Sequence, residues 1–127
     1  RVFLEWGKRM QLKEVNFGNA LPVDGYGPGF FRIGGQVWQS GVLLSLAGVT
    51  KWRGFSDVPL LVALSGDIDV VFIGTGTEIS QLPKSLTQKL EAAGIGVEVM
   101  NSPSACRTYN VLLSEGRRIA AALLPVD

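Results

Sequence analysis

Two apolar strands with a helix between them constrain the fold of this sequence most strongly. Residues 68–73 are nearly all apolar, which indicates a strand that is buried on both faces. Residues 83–93 start at a proline, carry apolar side chains at helical spacing and are followed by Gly94, a natural helix stop. Residues 95–100 form the second predicted strand. Because a strand–helix–strand unit is right-handed with parallel strands in nearly all proteins, the sequence predicts an α/β fold.

The segments on either side of this unit complete the prediction. Residues 22–29 are rich in glycine and proline and are predicted to form a turn. Residues 30–46 contain short apolar runs separated by Gly34-Gly35 and Ser40-Gly41, which indicates an antiparallel meander. Residues 102–113 have an apolar face at helical spacing, and residues 119–124 form a last apolar strand. The whole chain of 127 residues has the length of a single domain, 1–127.

Three helix starts are predicted from capping residues. Asp57 is expected to cap a short helix that buries Leu60, Leu61 and Leu64. Pro83 is expected at the first position of the second helix. Ser102 is expected to cap the third helix, and the proline that follows it is expected at the first helical position.

The parallel strands predict where a binding site would lie. Parallel strands place their carboxyl ends at the same edge of a sheet, so the loops at residues 74–77 and 101–107 should be neighbours. Ligands in open α/β sheets bind preferentially at that edge. The geometry therefore selects these two loops before any sequence motif is considered.

Composition excludes several classes of function. Twelve basic and eleven acidic residues give a net charge of +1, so we expect no nucleic-acid partner. The sequence contains no histidine, which excludes Ser-His-Asp and Cys-His catalysis and histidine-ligated metal. We expect no cofactor and no metal. No apolar run approaches the roughly 18 residues that a membrane-spanning helix needs, so no integral membrane segment is expected. Cys106 is the one cysteine, which suits a reducing compartment.

Four motifs, in this order and spacing, resemble those of a known protein family. They are Tyr26-Gly27-Pro28-Gly29, Ile73-Gly74-Thr75-Gly76, residues 105–110 and Glu115-Gly116-Arg117. Each motif alone is weak, but together they resemble a widespread family of small bacterial and archaeal proteins, mostly of unknown function. The eukaryotic member of that family is mitochondrial complex I (NADH:ubiquinone oxidoreductase) assembly factor 3. The resemblance covers roughly residues 11–126.

The resemblance implies a fold and a function. It implies three layers around a central mixed β-sheet, and a non-enzymatic role in which the protein binds other proteins, among them respiratory-complex subunits or other assembly factors. It implies the bacterial cytoplasm for a bacterial member and mitochondria for a eukaryotic one, and the bacterial cytoplasm is the preferred expectation here. Trp6 and Arg117 are predicted to contact the partner, because tryptophan and arginine are enriched at binding hot spots.

The competing hypothesis is a small-ligand or anion site, or an enzyme, at the predicted sheet edge. The loop Gly74-Thr75-Gly76-Thr77 can present backbone N–H groups to an anion, or it can be a tight structural loop. It lacks the third glycine of a dinucleotide fingerprint and the lysine of a phosphate loop. Cys106 lies in the first turn of its helix, where the helix dipole and Arg107 favour a thiolate. The alternative for Cys106 is a small buried thiol.

Two polar residues of the same helix leave further alternatives open. Arg107 can bind an anion beside the glycine loop, or it can pair with an acid such as Glu115, although two helical turns separate them. Asn110 is disfavoured in the middle of a helix, so its side chain is expected to have a specific partner. We expect that partner to be the loop at residues 74–77, with a ligand contact as the alternative.

Overall fold

The computed structural model describes residues 19–127. Trp6, a predicted partner contact, lies outside the described residues. The described chain forms the following elements in order: β1 (Val23–Gly27), β2 (Phe30–Ile33), β3 (Gln36–Trp38), β4 (Val42–Ser45), β5 (Gly48–Lys51), α1 (Val58–Val62), β6 (Val70–Thr75), α2 (Lys84–Ala92), β7 (Gly96–Met100), α3 (Ser102–Ser114) and β8 (Ile119–Leu124).

A five-stranded mixed sheet forms the centre of the described structure. Its strand order is β5-β4-β8-β6-β7. Strand β6 pairs in parallel with β7 and with β8, whereas β4 is antiparallel to β5 and β8. The predicted strand–helix–strand unit with parallel strands is therefore confirmed, and so is the mixed sheet. The observed β6 and β7 start two residues and one residue later, respectively, than the predicted strands.

The predicted N-terminal antiparallel meander is confirmed in strands β1, β2 and β3, and it ends before β4. Strands β1, β2 and β3 form a separate antiparallel sheet, and β4 with β5 joins the central sheet. The predicted turn at residues 22–29 is wrong, because residues 23–27 are strand β1. The Phe30 ring lies where a side chain at Gly27 would stand, so this glycine serves close cross-strand packing. The tight turn is limited to Pro28 and Gly29, and Gly29 has a φ of 77°.

The central sheet is covered on both faces, which gives the three layers that the resemblance implies. Helix α3 and the three-stranded sheet pack on one face, and α1 with α2 packs on the other. Strand β8 shows the alternation most clearly: Ile119, Ala121 and Leu123 face α3, whereas Ala120 and Ala122 face α1 and α2. Because successive side chains of a strand point to opposite faces, a wholly apolar strand serves two cores at once.

Two of the predicted helix starts need correction. Helix α3 begins at Ser102, and Asn101 is its N-cap: the Asn101 Oδ1 accepts a hydrogen bond of 2.8 Å from the backbone N–H of Ser104. Pro83 is the N-cap of α2 and not its first helical residue, so the helix starts one residue later than predicted. Gly94, with a φ of 80°, ends that helix as predicted.

The first helix is placed where the sequence predicts it, but it differs in detail. Asp57 occupies the N-cap position, and its side chain accepts a hydrogen bond of 3.1 Å from the Arg53 N–H instead of one from the helix. Of the predicted apolar stripe, Leu61 is fully buried, and Leu60 and Leu64 are partly buried.

Candidate functional site

The two predicted loops meet at the carboxyl edge of the central sheet. The backbone N–H of Ser102 donates to the Gly76 carbonyl at 2.8 Å, and the Gly76 N–H donates to the Ser102 Oγ at 2.9 Å. The prediction that these loops are neighbours is therefore confirmed. We call this region, residues 74–77 with 101–107, the carboxyl edge.

Close packing at this edge requires a glycine at position 74. A Cβ atom there would lie 2.8 Å from the Cα of Ser102 and 2.9 Å from a methyl group of Leu123. These distances are shorter than ordinary van der Waals contact, so a larger residue would push the α3 N-terminus away from the sheet. Gly74 thus acts as a packing residue between β6 and α3.

Ser102 holds three elements together and was not recognised as a site residue from the sequence. Its hydroxyl donates to the carbonyl of Leu124 at 2.5 Å and accepts from the N–H of Gly76, and the residue is fully buried. A serine at the N-terminus of a helix suggests capping, which is how the sequence was interpreted. The pairing partners lie 26 and 22 residues away, so local sequence gives no signal of this role.

The two threonines of the loop are also engaged within the chain. The Thr75 Oγ1 donates to the Glu78 carbonyl at 2.6 Å and accepts from the Ser80 N–H at 3.0 Å. The Thr77 Oγ1 accepts from the Asp127 N–H at 2.9 Å. The segment 124–127 consequently crosses the edge and continues to the β1–β2 turn, where the Gly29 N–H donates to the Val126 carbonyl.

Cys106 lies inside the core between α3 and the central sheet. Its side chain is 4% exposed, and burial raises the pKa of the thiol to about 12, an effect that the charge of Arg107 opposes. Tyr109, one turn further along α3, is fully buried, and burial raises the pKa of its hydroxyl as well. The Cys106 sulfur is thus a neutral thiol at physiological pH, which fits the buried-thiol alternative better than the nucleophile.

Arg107 is exposed at the carboxyl edge. Its Nη2 atom donates a hydrogen bond of 3.3 Å to the Ser104 Oγ, one turn earlier in α3. Among the residues that the structure describes, it has no ion pair with Glu115 or another acid. Arg107 is the single basic residue of α3.

Asn110 does not contact the loop at residues 74–77, which corrects the prediction. Its Oδ1 accepts from the Val23 N–H and its Nδ2 donates to the Val23 carbonyl, both at 2.9 Å. Asn110 lies about 12 Å along the helix axis from Ser102, because an α-helix rises about 1.5 Å per residue, so its side chain reaches β1 instead. The residue ties the three-stranded sheet to α3.

Arg117 is exposed in the turn after α3. Its backbone N–H donates to the Leu112 carbonyl at 3.1 Å, and its side chain makes no hydrogen bond or ion pair with another described residue. The neighbouring Arg118 instead pairs with Asp69 at 3.2 Å. Although the two arginines are adjacent in sequence, the Arg118 side chain is held by an ion pair, whereas the Arg117 side chain is not bonded to any described residue.

Within residues 19–127, no group of three histidine, cysteine, aspartate or glutamate side chains is arranged to hold a metal ion. No helix in that part of the chain is long and apolar enough to cross a membrane.

The fold and the carboxyl edge define a class of protein: a small three-layer α/β domain whose glycine loop is bonded to its own chain. The chain belongs to the family described as protein of unknown function (DUF498/DUF598), which matches residues 23–124. Membership of a bacterial family related to complex I assembly factor 3, expected from the four motifs, is confirmed by the relatives below.

Two relatives and one solved structure illustrate the family. An uncharacterised protein of Rhodobacter capsulatus is 51% identical over 92% of this chain and 94% of its own length. NADH dehydrogenase (ubiquinone) 1 alpha subcomplex assembly factor 3 of Mus musculus is 34% identical over 92% of this chain and 67% of its own length. A crystal structure described as an outer membrane protein from Bartonella henselae matches with a TM-score of 0.81 and 32% identity, covering 87% of this chain and 99% of that one.

Proposed function

We propose that this chain is a non-enzymatic assembly factor that acts by binding other proteins. The observation that carries the proposal is the 34% identity, over 92% of the chain, to a mouse protein named as an assembly factor of NADH dehydrogenase. The proposed partners are subunits of a respiratory complex or other assembly factors. The proposed location is the bacterial cytoplasm, with mitochondria for the eukaryotic relatives, and cell fractionation tests it.

The bonding at the carboxyl edge supports a role that does not depend on a bound ligand there. The N–H of Gly76 and the hydroxyls of Ser102 and Thr77 all have partners within the chain. A ligand that used the Gly76 N–H or the Ser102 hydroxyl would have to displace hydrogen bonds that are buried or partly buried, and breaking such bonds costs about 1–3 kcal/mol each. Binding of a protein to the outer surface would not require these hydrogen bonds to break.

The ligand hypothesis keeps one exposed cation on α3 at this edge, Arg107. Among residues 19–127, its guanidinium makes a single hydrogen bond, to the Ser104 hydroxyl, so it can turn towards an anion with little loss. Thr77 is also exposed and lies in the glycine loop. These two residues therefore provide the variants that separate ligand binding at the edge from protein binding at the surface.

The test compares two sets of variants in affinity purification from the native cell, with co-purifying proteins quantified. The surface set is Trp6→Ala and Arg117→Glu, and the edge set is Thr77→Ala and Arg107→Ala. We expect a surface variant at a true hot spot to capture its partner about thirtyfold less tightly, which corresponds to about 2 kcal/mol. The edge set should retain capture. Circular dichroism establishes that every variant is folded.

The opposite pattern would reject the proposal. If the edge set loses capture or cellular function while the surface set keeps both, binding of a ligand at the carboxyl edge becomes the better explanation. Arg118→Glu is an unsuitable surface control, because Arg118 already pairs with Asp69 and the substitution would also break that ion pair. Arg32→Glu, on the exposed side of the three-stranded sheet, is the matched arginine control.

A further inference from the structure

Strand β7 is the last strand of the central sheet on one side, and no described residue pairs with its outer edge. The direction of its backbone groups follows from its bonds to β6. The Gly96 N–H donates to the Asp69 carbonyl at 2.8 Å, and Gly96 is in register with Val70. Alternate residues of a parallel strand bond to the same neighbour, so Gly96, Glu98 and Met100 bond towards β6. The N–H and carbonyl groups of Val97 and Val99 consequently point outward.

An apolar groove runs beside this open edge. It lies between β7 and α2, has a volume of about 390 Å³, and is floored by Leu82, Val97 and Val99. Lys84, Thr87 and Gln88 of α2 form part of its wall. A chain that paired with Val97 and Val99 would place every second side chain against this floor, because strand side chains alternate between the two faces.

Glu98 gives the edge a negative charge. It lies between Val97 and Val99 on the opposite face of β7, and its side chain is exposed. It makes no ion pair with any residue in the described part of the chain. In a strand added to β7, the residue beside Glu98 would point to the same face, where opposite charges attract and like charges repel. A lysine or arginine is therefore favoured there.

The same charge disfavours a second copy of this chain as the occupant. The antiparallel register that uses both Val97 and Val99 of each copy places Glu98 directly opposite Glu98. Residues at such a non-hydrogen-bonded pair are about 4.5 Å apart between Cα atoms, and like charges there are destabilising. A charged residue on an edge strand is also a common device against self-association.

We propose that β7 and its groove bind an extended segment of a partner protein, in which apolar residues flank a lysine or arginine. The segment adds a strand to the sheet: its backbone bonds to Val97 and Val99, its apolar side chains enter the groove over Leu82, and its cation lies beside Glu98. This inference rests on the proposed protein-binding function and specifies the chemistry of the partner.

The first test uses a fluorescein-labelled nine-residue peptide with a central arginine flanked by valines and with threonines at the outer positions. A matched peptide carries glutamate at the centre. Binding to the full chain is measured by fluorescence anisotropy. We expect the arginine peptide to bind about fivefold or more tightly than the glutamate peptide, as for a cross-strand ion pair. The preference should reverse with Glu98→Arg, which exchanges one exposed charge for another and should leave the fold intact. Equal affinities, or no reversal, would overturn the proposal.

The second test addresses the backbone. Val99→Pro removes an outward N–H and leaves the bonds to β6, since proline is tolerated on an edge strand whose N–H faces outward. We expect binding of the arginine peptide to fall about tenfold or more. If this variant does not fold, an arginine peptide with N-methylated backbone amides replaces it and should lose binding to the unmodified chain. Amide hydrogen exchange should slow at Val97 and Val99 when the unmodified peptide binds; unchanged exchange at both would contradict strand addition.

Two further outcomes separate this inference from the function on which it rests. If Glu98→Arg and Val99→Pro capture partner proteins as well as the unmodified chain does, the binding surface lies elsewhere and the inference fails, while the assembly proposal stands. If the unmodified chain captures no partner, the assembly proposal itself fails. Concentration-dependent dimers in analytical ultracentrifugation that are lost in Val99→Pro would instead assign the edge to a second copy and overturn the inference.

Discussion

Two edges of the central sheet differ in how their polar groups are satisfied. At the carboxyl edge, the buried hydroxyl of Ser102 and the segment 124–127 occupy the polar groups of the glycine loop. At the β7 edge, the outward groups of Val97 and Val99 have no partner among the described residues, and an apolar groove lies beside them. Within the described residues, the loop at the edge where α/β sheets most often bind ligands is therefore bonded to its own chain, and a lateral edge is open.

The difference indicates that topology alone does not locate a binding site. Parallel strands bring two loops together whether or not a ligand uses the space between them. In this chain the space is filled, because Gly74 allows the first turn of α3 to approach the sheet within van der Waals contact. Changes at the closed edge should accordingly affect stability, and changes at the open edge should affect binding.

The largest effect is expected at Gly74. Gly74→Val would place methyl groups in the space of Ser102 and Leu123, so we expect a loss of about 3 kcal/mol or more in the free energy of unfolding. Urea denaturation followed by circular dichroism measures it. Gly25→Ala is the matched control, because the nearest atom to a Cβ there is the Arg32 guanidinium at 3.9 Å. A difference of less than about 1 kcal/mol between the two variants would show that the edge is not tightly packed.

A smaller effect is expected at Ser102. Ser102→Ala would leave the Gly76 N–H and the Leu124 carbonyl without their present partner, and such buried groups cost about 1–3 kcal/mol when unsatisfied. We expect a loss of about 2 kcal/mol relative to the unmodified chain in the same denaturation measurement. The exposed Ser85 of α2 provides the control, since Ser85→Ala should change stability by no more than about 0.5 kcal/mol. Equal losses in both variants would contradict the bridging role.

The next prediction concerns pH and Cys106. Its pKa rises from 9.0 to about 12 on burial, so the unfolded chain releases the thiol proton at a lower pH than the folded chain does. Stability should be unaffected by this group below pH 9 and should fall as the pH rises from about 9 to about 12. The raised pKa of Tyr109 acts in the same direction.

Cys106→Ala isolates the contribution of the thiol. We expect the variant to lose about 1 kcal/mol at neutral pH and to show a shallower decline of stability at alkaline pH than the unmodified chain. Denaturation in reducing buffer at a series of pH values measures both slopes. Parallel slopes, or rapid labelling of the native thiol at neutral pH, would indicate that the sulfur is accessible and would revive the nucleophile hypothesis.

The smallest effect on stability is expected at the open edge. Glu98→Gln and Gln88→Ala alter exposed side chains beside the groove, so each should change the free energy of unfolding by no more than about 0.5 kcal/mol. Glu98→Gln should nevertheless weaken the preference for the arginine peptide, because it removes the charge and keeps the shape. A large loss of stability in Glu98→Gln would mean that Glu98 is a structural residue, and the contrast between the two edges would disappear.

Much of the fold followed from local pattern, and the errors have identifiable causes. The apolar runs predicted β6, β7 and β8, and apolar periodicity with capping residues predicted all three helices to within about two residues, as helix boundaries allow. Strand β1 was missed because its glycines and flanking prolines are typical of turns, whereas pairing with β2 holds them extended. Strand β5 was also missed: its four residues have little apolar character, and pairing with β4 specifies them.

The candidate site was predictable in position but not in chemistry. The parallel strands placed residues 74–77 beside 101–107 correctly. The predicted partner of Asn110 was wrong. A side chain on a helix reaches only what lies at its own height along the helix axis, and at Asn110 that neighbour is strand β1 of the three-stranded sheet. The use of the loop for a ligand stays a prediction.

The sequence by itself determined the strand–helix–strand unit, the absence of histidine chemistry and the approximate positions of the helices, because each depends on residues that are neighbours along the chain. The tertiary structure decided which polar groups are occupied and which edge stays open. Those outcomes depend on contacts such as Ser102 with Gly76 and Leu124, which join residues more than twenty positions apart. Local propensity carries no information about such contacts, since packing of the whole chain selects them.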